Sequence, residues 1–249
     1  MKLLDLTLPT PAENLACDEA LLNWGEAGGG EILRFWEPRE YFVVVGYANK
    51  VETEVNVAAC AAKHIPIFRR CSGGGTVLQG PGCLNYTLIL QIASHPPLAS
   101  ISGANQFIME RNCKAVQLAI GHRPSAISVR GHTDLALDSR PSTPDNQRKF
   151  SGNSQRRHKR ALLFHGTFLL DFNRPRVNEF LRMPSKQPNY RNHRSHLDFL
   201  ANLNIPATRL KSALGKVWNA ARRLHDFPEP ETHKLTTEKY STAEWNFRF

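Results

Sequence analysis

The stretch Arg69-Arg70-Cys71-Ser72-Gly73-Gly74-Gly75-Thr76 is where residue types and spacing point most directly to chemistry. Three consecutive glycines carry no Cβ, so the backbone there can turn several N–H groups toward one anion. The two arginines just ahead can add charge-assisted hydrogen bonds to phosphate or carboxylate oxygens. No Gly-Lys-Ser/Thr follows, so this is not a Walker loop, and it is not a Gly-x-Gly-x-x-Gly turn. A surface turn with incidental arginines is the bland alternative.

Three further groups carry weaker signals. Arg148-Lys149-Phe150-Ser151-Gly152-Asn153 places a lysine beside a small-residue turn, where it would stabilise negative charge developing on a phosphate or carbonyl oxygen. By itself it is equally a solvated lysine in a basic stretch. His165-Gly166-Thr167 lies in an apolar run. A lone strand histidine is more often a satisfied core residue, yet the glycine permits a ligand to approach the backbone closely. Gly131-His132-Thr133-Asp134 supplies an aspartate that can hold a phosphate-bound magnesium ion or simply cap a turn.

Composition bounds what can surround these groups. The chain has 249 residues, enough to bury a full core without metal or disulfide staples. Hydrophobic residues make up 41% and charged residues 22%, ordinary globular usage that argues against wholesale disorder. No apolar run is long enough to span a bilayer, and Pro, Asp and Glu interrupt the first residues before any signal-length apolar segment. Five cysteines (17, 60, 71, 83 and 113) lack CxxC spacing, which fits neither a disulfide framework nor a zinc site and suits a reducing cytoplasm. Lys and Arg number 32 against 22 acids, a formal +10 that favours an acidic partner: nucleic acid, a polyphosphate nucleotide or an acidic protein surface.

The elements that must position the four groups read as α+β with a mixed sheet. Met1–Thr7 is a strand, and Thr10-Pro11-Ala12-Glu13 is a capping box opening a helix to about Trp24. Strands follow at Ile32–Trp36 and Phe42–Gly46, a short helix at Val55–His64, and a strand at Ile65–Arg69 that delivers the chain into the glycine loop. Leu84–Gln91 is a strand, and residues 104–120 form a helix ended by Gly121. Ala126–Val129, Asp134–Leu137, Lys149–Ser151 and Ala161–Phe172 read as strands, with Asp138–Gln147 an exposed, mobile loop. Leu210, Leu214, Val217, Ala221 and Leu224 form one face of a helix, and residues 226–249 form a tail at the domain edge.

Taken together, Arg-Arg-x-Ser-Gly-Gly-Gly, Leu84-Asn85-Tyr86, Asp134-Leu135, Lys149-x-Ser-Gly-Asn and His165-Gly-Thr resemble the lipoate–protein ligase A family in order and approximate spacing. The resemblance extends to Asn14-Leu15-Ala16 with Asp18-Glu19, to Val43-Val44-Val45-Gly46, to Glu54-Val55-Asn56 and to Glu244-Trp245-Asn246, nearly the whole chain. It implies a single α+β catalytic domain over 1–249, a mixed β-sheet flanked by helices as in biotin ligases; the expectation of no C-terminal accessory domain is a departure from many bacterial members of the family, which carry one. The activity it implies is activation of lipoate by magnesium ATP to lipoyl-adenylate, then transfer to a lysine of an acceptor. Lys149 would be the essential lysine beside the mixed anhydride. Arg70 through Gly75 would embrace the carboxylate and adenylate phosphate, with Arg69 and Thr76 flanking them. Asp134 would lie near the phosphates or metal. Asn85, Ser151, Gly152, His165, Gly166 and Thr167 would line the pocket, and Val43–Gly46 would wall an apolar channel for the acyl chain.

Partners implied in the same way are an acidic lipoyl-acceptor domain, such as a dehydrogenase subunit or a glycine-cleavage H-type protein, and a separate polypeptide supplying the accessory part. Cysteine-dependent octanoyltransferases share the fold but carry the acyl group as a thioester from a pre-activated donor. One branch is expected to place its nucleophile just before the conserved lysine and the other later, and residues 114–249 contain no Cys. A reading from another class is a basic nucleic-acid-binding module, supported by the charge and by Arg156-Arg157-His158-Lys159-Arg160. No RNP, KH, zinc-finger or helix-turn-helix signature accompanies it.

Overall fold

Thr10 starts the first helix as its sequence requires. The Glu13 amide donates to Thr10 Oγ1 at 3.2 Å while the Thr10 amide donates to Glu13 Oε2 at 2.8 Å, and Pro11 occupies the first turn. The computed structural model describes residues 1–121, 126–138 and 147–249, so all but the two ends of the loop expected at Asp138–Gln147 lies outside the described residues. In chain order the elements are β1 (Lys2–Asp5), α1 (Pro11–Glu26), β2 (Ile32–Trp36), β3 (Phe42–Val45), α2 (Val51–Glu54), α3 (Val57–Ala62), β4 (Ile67–Arg69), β5 (Val77–Gln79) and β6 (Cys83–Gln91). Then come α4 (Ile101–Ile120), β7 (Ala126–Arg130), β8 (Asp134–Asp138), β9 (Gln147–Arg157), β10 (Ala161–Leu169), α5 (Pro175–Phe180) and α6 (His196–Phe199). The chain closes with α7 (Ala207–Val217), β11 (Arg222–Arg223), α8 (Glu229–Leu235) and α9 (Ala243–Asn246).

Eight strands form one mixed sheet in the order β11-β1-β2-β6-β10-β9-β8-β7. The β11, β1 and β2 strands run parallel, and every later pairing is antiparallel. A second sheet, β4-β3-β5, carries the glycine loop between β4 and β5. Strand alternation divides the main core. Leu84, Leu88 and Leu90 of β6 and Phe164 and Phe168 of β10 pack with residues of α4 and α7 on one face. Ile89 and Leu163 pack with Leu21 and Leu22 of α1 on the other. Both faces of the central strands are therefore covered, which explains their continuous apolar sequences.

Several boundaries differ from expectation for local reasons. The last long helix stops at Val217 rather than carrying Ala221 and Leu224: Asn219 adopts a left-handed φ of 50°, and the Ala220 amide donates back to Gly215 O at 2.8 Å. The freed chain adds β11 to the sheet edge. Strand β9 runs to Arg157, well past Ser151, although its sequence is polar. The basic run at 156–160 is consequently split: Arg156 lies over the Tyr47 ring, while Arg157 donates to Leu98 O at 2.6 Å.

The C-terminal residues pack against α1. Tyr240 is fully buried, its hydroxyl donating to Glu19 of α1 at 2.7 Å. Lys239 pairs with the same carboxylate.

Candidate active site

A cavity of about 900 Å³ opens on the α1-facing side of β10, between the glycine loop and the segment that follows α5. Its apolar wall includes Leu15, Trp36, Val44, Leu78, Phe172 and Val177, and its polar wall carries Arg70, Lys149, Asp134 and His165. Such a volume and mixture suit a small molecule with both an apolar and an anionic part.

Lys149 reaches this cavity because of a register shift. Leu135 pairs with Ser151 but Ala136 pairs with Lys149, so Phe150 is an extra residue in β9. Simple alternation would place Lys149 and Gly152 on opposite faces. The bulge puts them on the same face, with Phe150 directed into the main core. A Cβ on Gly152 would stand 2.7 Å from Lys149 Nζ, so glycine there makes room for the ammonium. Nζ lies 2.8 Å from Asp134 Oδ1, and the Tyr190 hydroxyl donates to Asp134 Oδ2 at 2.7 Å. Burial first, and then the Asp134 charge, push the Tyr190 hydroxyl far above its ordinary pKa, so it remains a donor.

The glycine loop is organised around Arg70. This buried guanidinium donates to Gly73 O at 2.5 Å, to Gly75 O at 2.7 Å and to Ser72 Oγ at 3.1 Å. Burial lowers its pKa to about 10, still charged at neutral pH. Drawing the loop carbonyls inward leaves the Gly73, Gly74 and Gly75 amides without an internal acceptor among the described residues. Gly74 has φ 85°, a conformation that glycine adopts without penalty. Arg70, Gly74, Gly75 and Thr76 line the cavity, as do Asn85, Ser151, Gly152, His165, Gly166 and Thr167.

Four expected site residues do not line it. Arg69 is fully buried and donates to Gly46 O, Tyr47 O, Asn49 O and Asn246 O, while its backbone amide donates to Asn246 Oδ1 at 2.9 Å. It ties the C-terminal segment to the end of β3 and leaves no fork for an anion. Gly46 walls nothing; a Cβ there would stand 2.0 Å from Gly74 O, so its bare backbone admits the glycine loop. Ser72 is fully buried behind the loop, and Gly73 is also outside the lining. Of Val43–Val45 only Val44 faces the cavity; its neighbours pack with Val55, Leu78 and Phe180.

The β10 residues are held by close contacts. A Cβ on Gly166 would fall 1.7 Å from Asn153 Oδ1, the atom that accepts from Tyr86 OH at 2.6 Å. Thr167 Oγ1 accepts from Gln79 at 2.6 Å and donates to Asn85 at 2.5 Å. His165 is bracketed by Ser72 and Asp18, and Asp18 pairs with Arg34 at 2.6 Å. Asp18 is a site residue that sequence patterning passed over. An aspartate on an apolar helix and an arginine inside Ile-Leu-Arg-Phe-Trp were the available signal, because each needs a buried counter-charge. Parts of the segment 181–200, including Arg182, Lys186 and Tyr190, also line the cavity, and nothing in their pattern announced it.

Asp134 was expected to serve a magnesium ion, yet one of its oxygens holds Lys149 and the other holds Tyr190. Among the described residues no three His, Cys, Asp or Glu side chains cluster to hold a metal. The described residues do not form a resident metal site. All five cysteines lie outside the cavity wall. Burial pushes Cys71 and Cys83 up to about 12 and Cys60 to about 11, and raises Cys17 and Cys113 as well. Among the described residues no helix is long and apolar enough to cross a membrane.

The chain is similar to several known proteins. The chain is 26% identical to "Octanoyltransferase LipM" of Halalkalibacterium halodurans, covering 96% of this chain and 95% of that protein. It is 24% identical to "Lipoate-protein ligase A subunit 1" of Thermoplasma acidophilum, covering 97% and 95%. Among solved structures it resembles the bi-partite lipoate protein ligase of T. acidophilum, solved in a study of that ligase and its E2 lipoyl domain, with a TM-score of 0.79 at 23% identity over 99% of this chain and 95% of that one. The model of the lipoyl protein ligase A/B catalytic domain matches residues 10–214, and the chain belongs to that family.

Proposed function

We propose that the chain is an ATP-dependent lipoate–protein ligase. It would activate lipoate as lipoyl-adenylate and transfer the lipoyl group to a lysine of an acceptor protein. One observation carries this reading: Lys149, Gly74 and Gly75 line one cavity whose wall, among the described residues, holds no thiol. In the first step a lipoate carboxylate oxygen attacks the α-phosphorus of ATP and pyrophosphate leaves. In the second, the acceptor amine, having lost its proton, attacks the acyl carbonyl and AMP departs. Both steps gather negative charge, which a fixed ammonium and preorganised amides stabilise without a catalytic acid–base pair. Leu15, Trp36, Val44 and Phe172 supply the apolar wall for the acyl chain.

A lipoyl-acceptor domain is the proposed partner, in keeping with the E2 lipoyl domain studied alongside the T. acidophilum ligase. A separate accessory polypeptide is proposed on the same ground, since that ligase is bi-partite and its curated relative is called subunit 1.

The second reading is acyl transfer from a pre-activated donor, favoured by the likeness to the H. halodurans octanoyltransferase. A covalent thioester route needs a thiolate within reach of the acyl group, and the buried, high-pKa cysteines speak against it. The deciding experiment incubates an apo acceptor domain with lipoate, magnesium and ATP, or with octanoyl-carrier protein alone. A mass shift with the first mixture and pyrophosphate release support the ligase. A shift with the second alone moves the chain to the transferases.

A further inference from the structure

We propose that Asp18 and His165 are positioning residues that set the shape of the glycine loop through Ser72 and Arg70. This deepens the ligase reading and rests on it for its kinetic consequence. The four side chains come from α1, β10 and the loop itself, and with Arg34 on β2 they form one buried chain of hydrogen bonds.

The serine hydroxyl proton and the ring hydrogen in that chain each have one place to go. A guanidinium only donates, so Ser72 Oγ accepts from Arg70 Nε at 3.1 Å, sharing that hydrogen with Gly73 O at 3.1 Å. Ser72 is fully buried, and among the described residues the one remaining partner of its hydroxyl is His165 Nε2, at 2.6 Å. A buried hydroxyl proton needs an acceptor, so Nε2 must be unprotonated. The other ring nitrogen, Nδ1, then carries the hydrogen and donates to Asp18 Oδ2 at 3.1 Å. At the far end Arg34 donates to Asp18 Oδ1 at 2.6 Å and keeps Asp18 a carboxylate. Arg34 is itself fixed, donating to Asn14 O at 2.9 Å and Asn14 Oδ1 at 2.7 Å.

Direction therefore runs from Arg70 through Ser72 and His165 to Asp18. Because Arg70 also holds the Gly73 and Gly75 carbonyls, the orientation of Ser72 governs where the loop amides point.

The isosteric change Asp18→Asn reverses that direction. Its amide oxygen must face Arg34, so its NH₂ faces His165 Nδ1, which becomes an acceptor. The ring then carries its hydrogen on Nε2 and aims it at Ser72, which already accepts from Arg70. The serine proton loses its partner and the loop loses its anchor.

Long-range ¹H–¹⁵N correlation spectra read the ring directly, with His165 assigned by the loss of its signals in His165→Gln. The expected result is the Nδ1–H tautomer in the wild-type protein and Nε2–H in Asp18→Asn. In lipoate activation, Asp18→Asn should raise the KM for lipoate about 10- to 100-fold, the scale of one unsatisfied buried donor, with kcat changed much less. Ser72→Ala should raise KM comparably, and the double variant Asp18→Asn/Ser72→Ala should be no worse than Ser72→Ala alone.

An Nε2–H tautomer in the wild-type protein overturns the proposal, as do additive KM effects or a loss confined to kcat. If Asp18→Asn does not fold, the wild-type tautomer and Ser72→Ala decide: a folded Ser72→Ala with unchanged KM overturns it. A wild-type protein that forms no pyrophosphate with lipoate refutes the ligase reading, and the tautomer then judges the relay independently.

Discussion

Lys149 and Asp134 form an ion pair in which the lysine side chain keeps 26% of its exposure, enough for a ligand oxygen to reach the ammonium. Replacing Lys149 with Ala should lower lipoate activation and transfer by about 10²- to 10³-fold, the scale of one lost electrostatic donor, with the unfolding transition retained. Near-normal rates in both half-reactions, measured by pyrophosphate exchange and by acceptor mass shift, would return Lys149 to the status of a solvated lysine. The cysteines make the complementary case. Burial raises their pKa values, to about 12 for Cys71 and Cys83, so thiolate is scarce at pH 8. Treatment of the native protein with iodoacetamide at that pH should leave turnover intact. Inactivation in step with alkylation of one cysteine would revive the thioester route.

At the scale of elements, strand β9 and its bulge set which face each side chain takes, and glycines set how closely neighbours approach. Gly166→Ala forces a Cβ onto Asn153 Oδ1, with the Gly152 carbonyl 2.8 Å away. It should destabilise the fold by about 1–3 kcal/mol and depress activity. Gly73→Ala, with open space around its Cβ, should leave the midpoint of urea unfolding unchanged. Equal effects from the two substitutions would refute this picture of crowding.

The C-terminal elements yield a second test at this scale. Asn246 Oδ1 accepts the buried Arg69 amide, and Asn246→Ala leaves that donor unpaired. The expected cost is about 1–3 kcal/mol in chemical denaturation. A neutral substitution would show that this bond contributes nothing to stability.

At the scale of the whole molecule, Asp18 and Arg34 form a buried ion pair that ties α1 to β2 beside the cavity. Burial alone would raise the Asp18 pKa, but the Arg34 charge and the His165 hydrogen bond outweigh it and hold it below the ordinary 3.8. A depressed carboxylate contributes stability above its unfolded pKa and loses it as pH falls through the folded value. Arg34→Leu leaves the Asp18 charge buried without its cation. At pH 7 it should cost about 3–5 kcal/mol. The deficit should shrink on acidification, because protonating Asp18 removes the unpaired charge. Urea titrations of both proteins at neutral and mildly acidic pH measure this, and a deficit independent of pH would refute it.

Much of the element order was legible in the residues. The Thr10–Glu13 box, the apolar strands and Gly121 act through local hydrogen bonds and backbone angles, so their neighbours in sequence suffice to define them. Arg70, the glycine triplet and Lys149 were also legible, since their types announce anion chemistry wherever they fold. Other features depended on residues far apart in the chain. The polar strand β9 exists because β10 and β8 pair with it, and the bulge at Phe150 comes from that pairing register. Arg69 and Arg70 are adjacent in sequence, yet one ties down the C-terminal segment while the other shapes the loop, because Arg69 finds its acceptors at Gly46 and Asn246 and Arg70 finds its own at Gly73 and Gly75. The Asp18–His165–Ser72 relay joins positions up to 147 residues apart. Sequence alone established which groups can carry charge and where the chain turns. Only tertiary packing decided which of them meet, because burial and cross-strand register are properties of the assembled sheet.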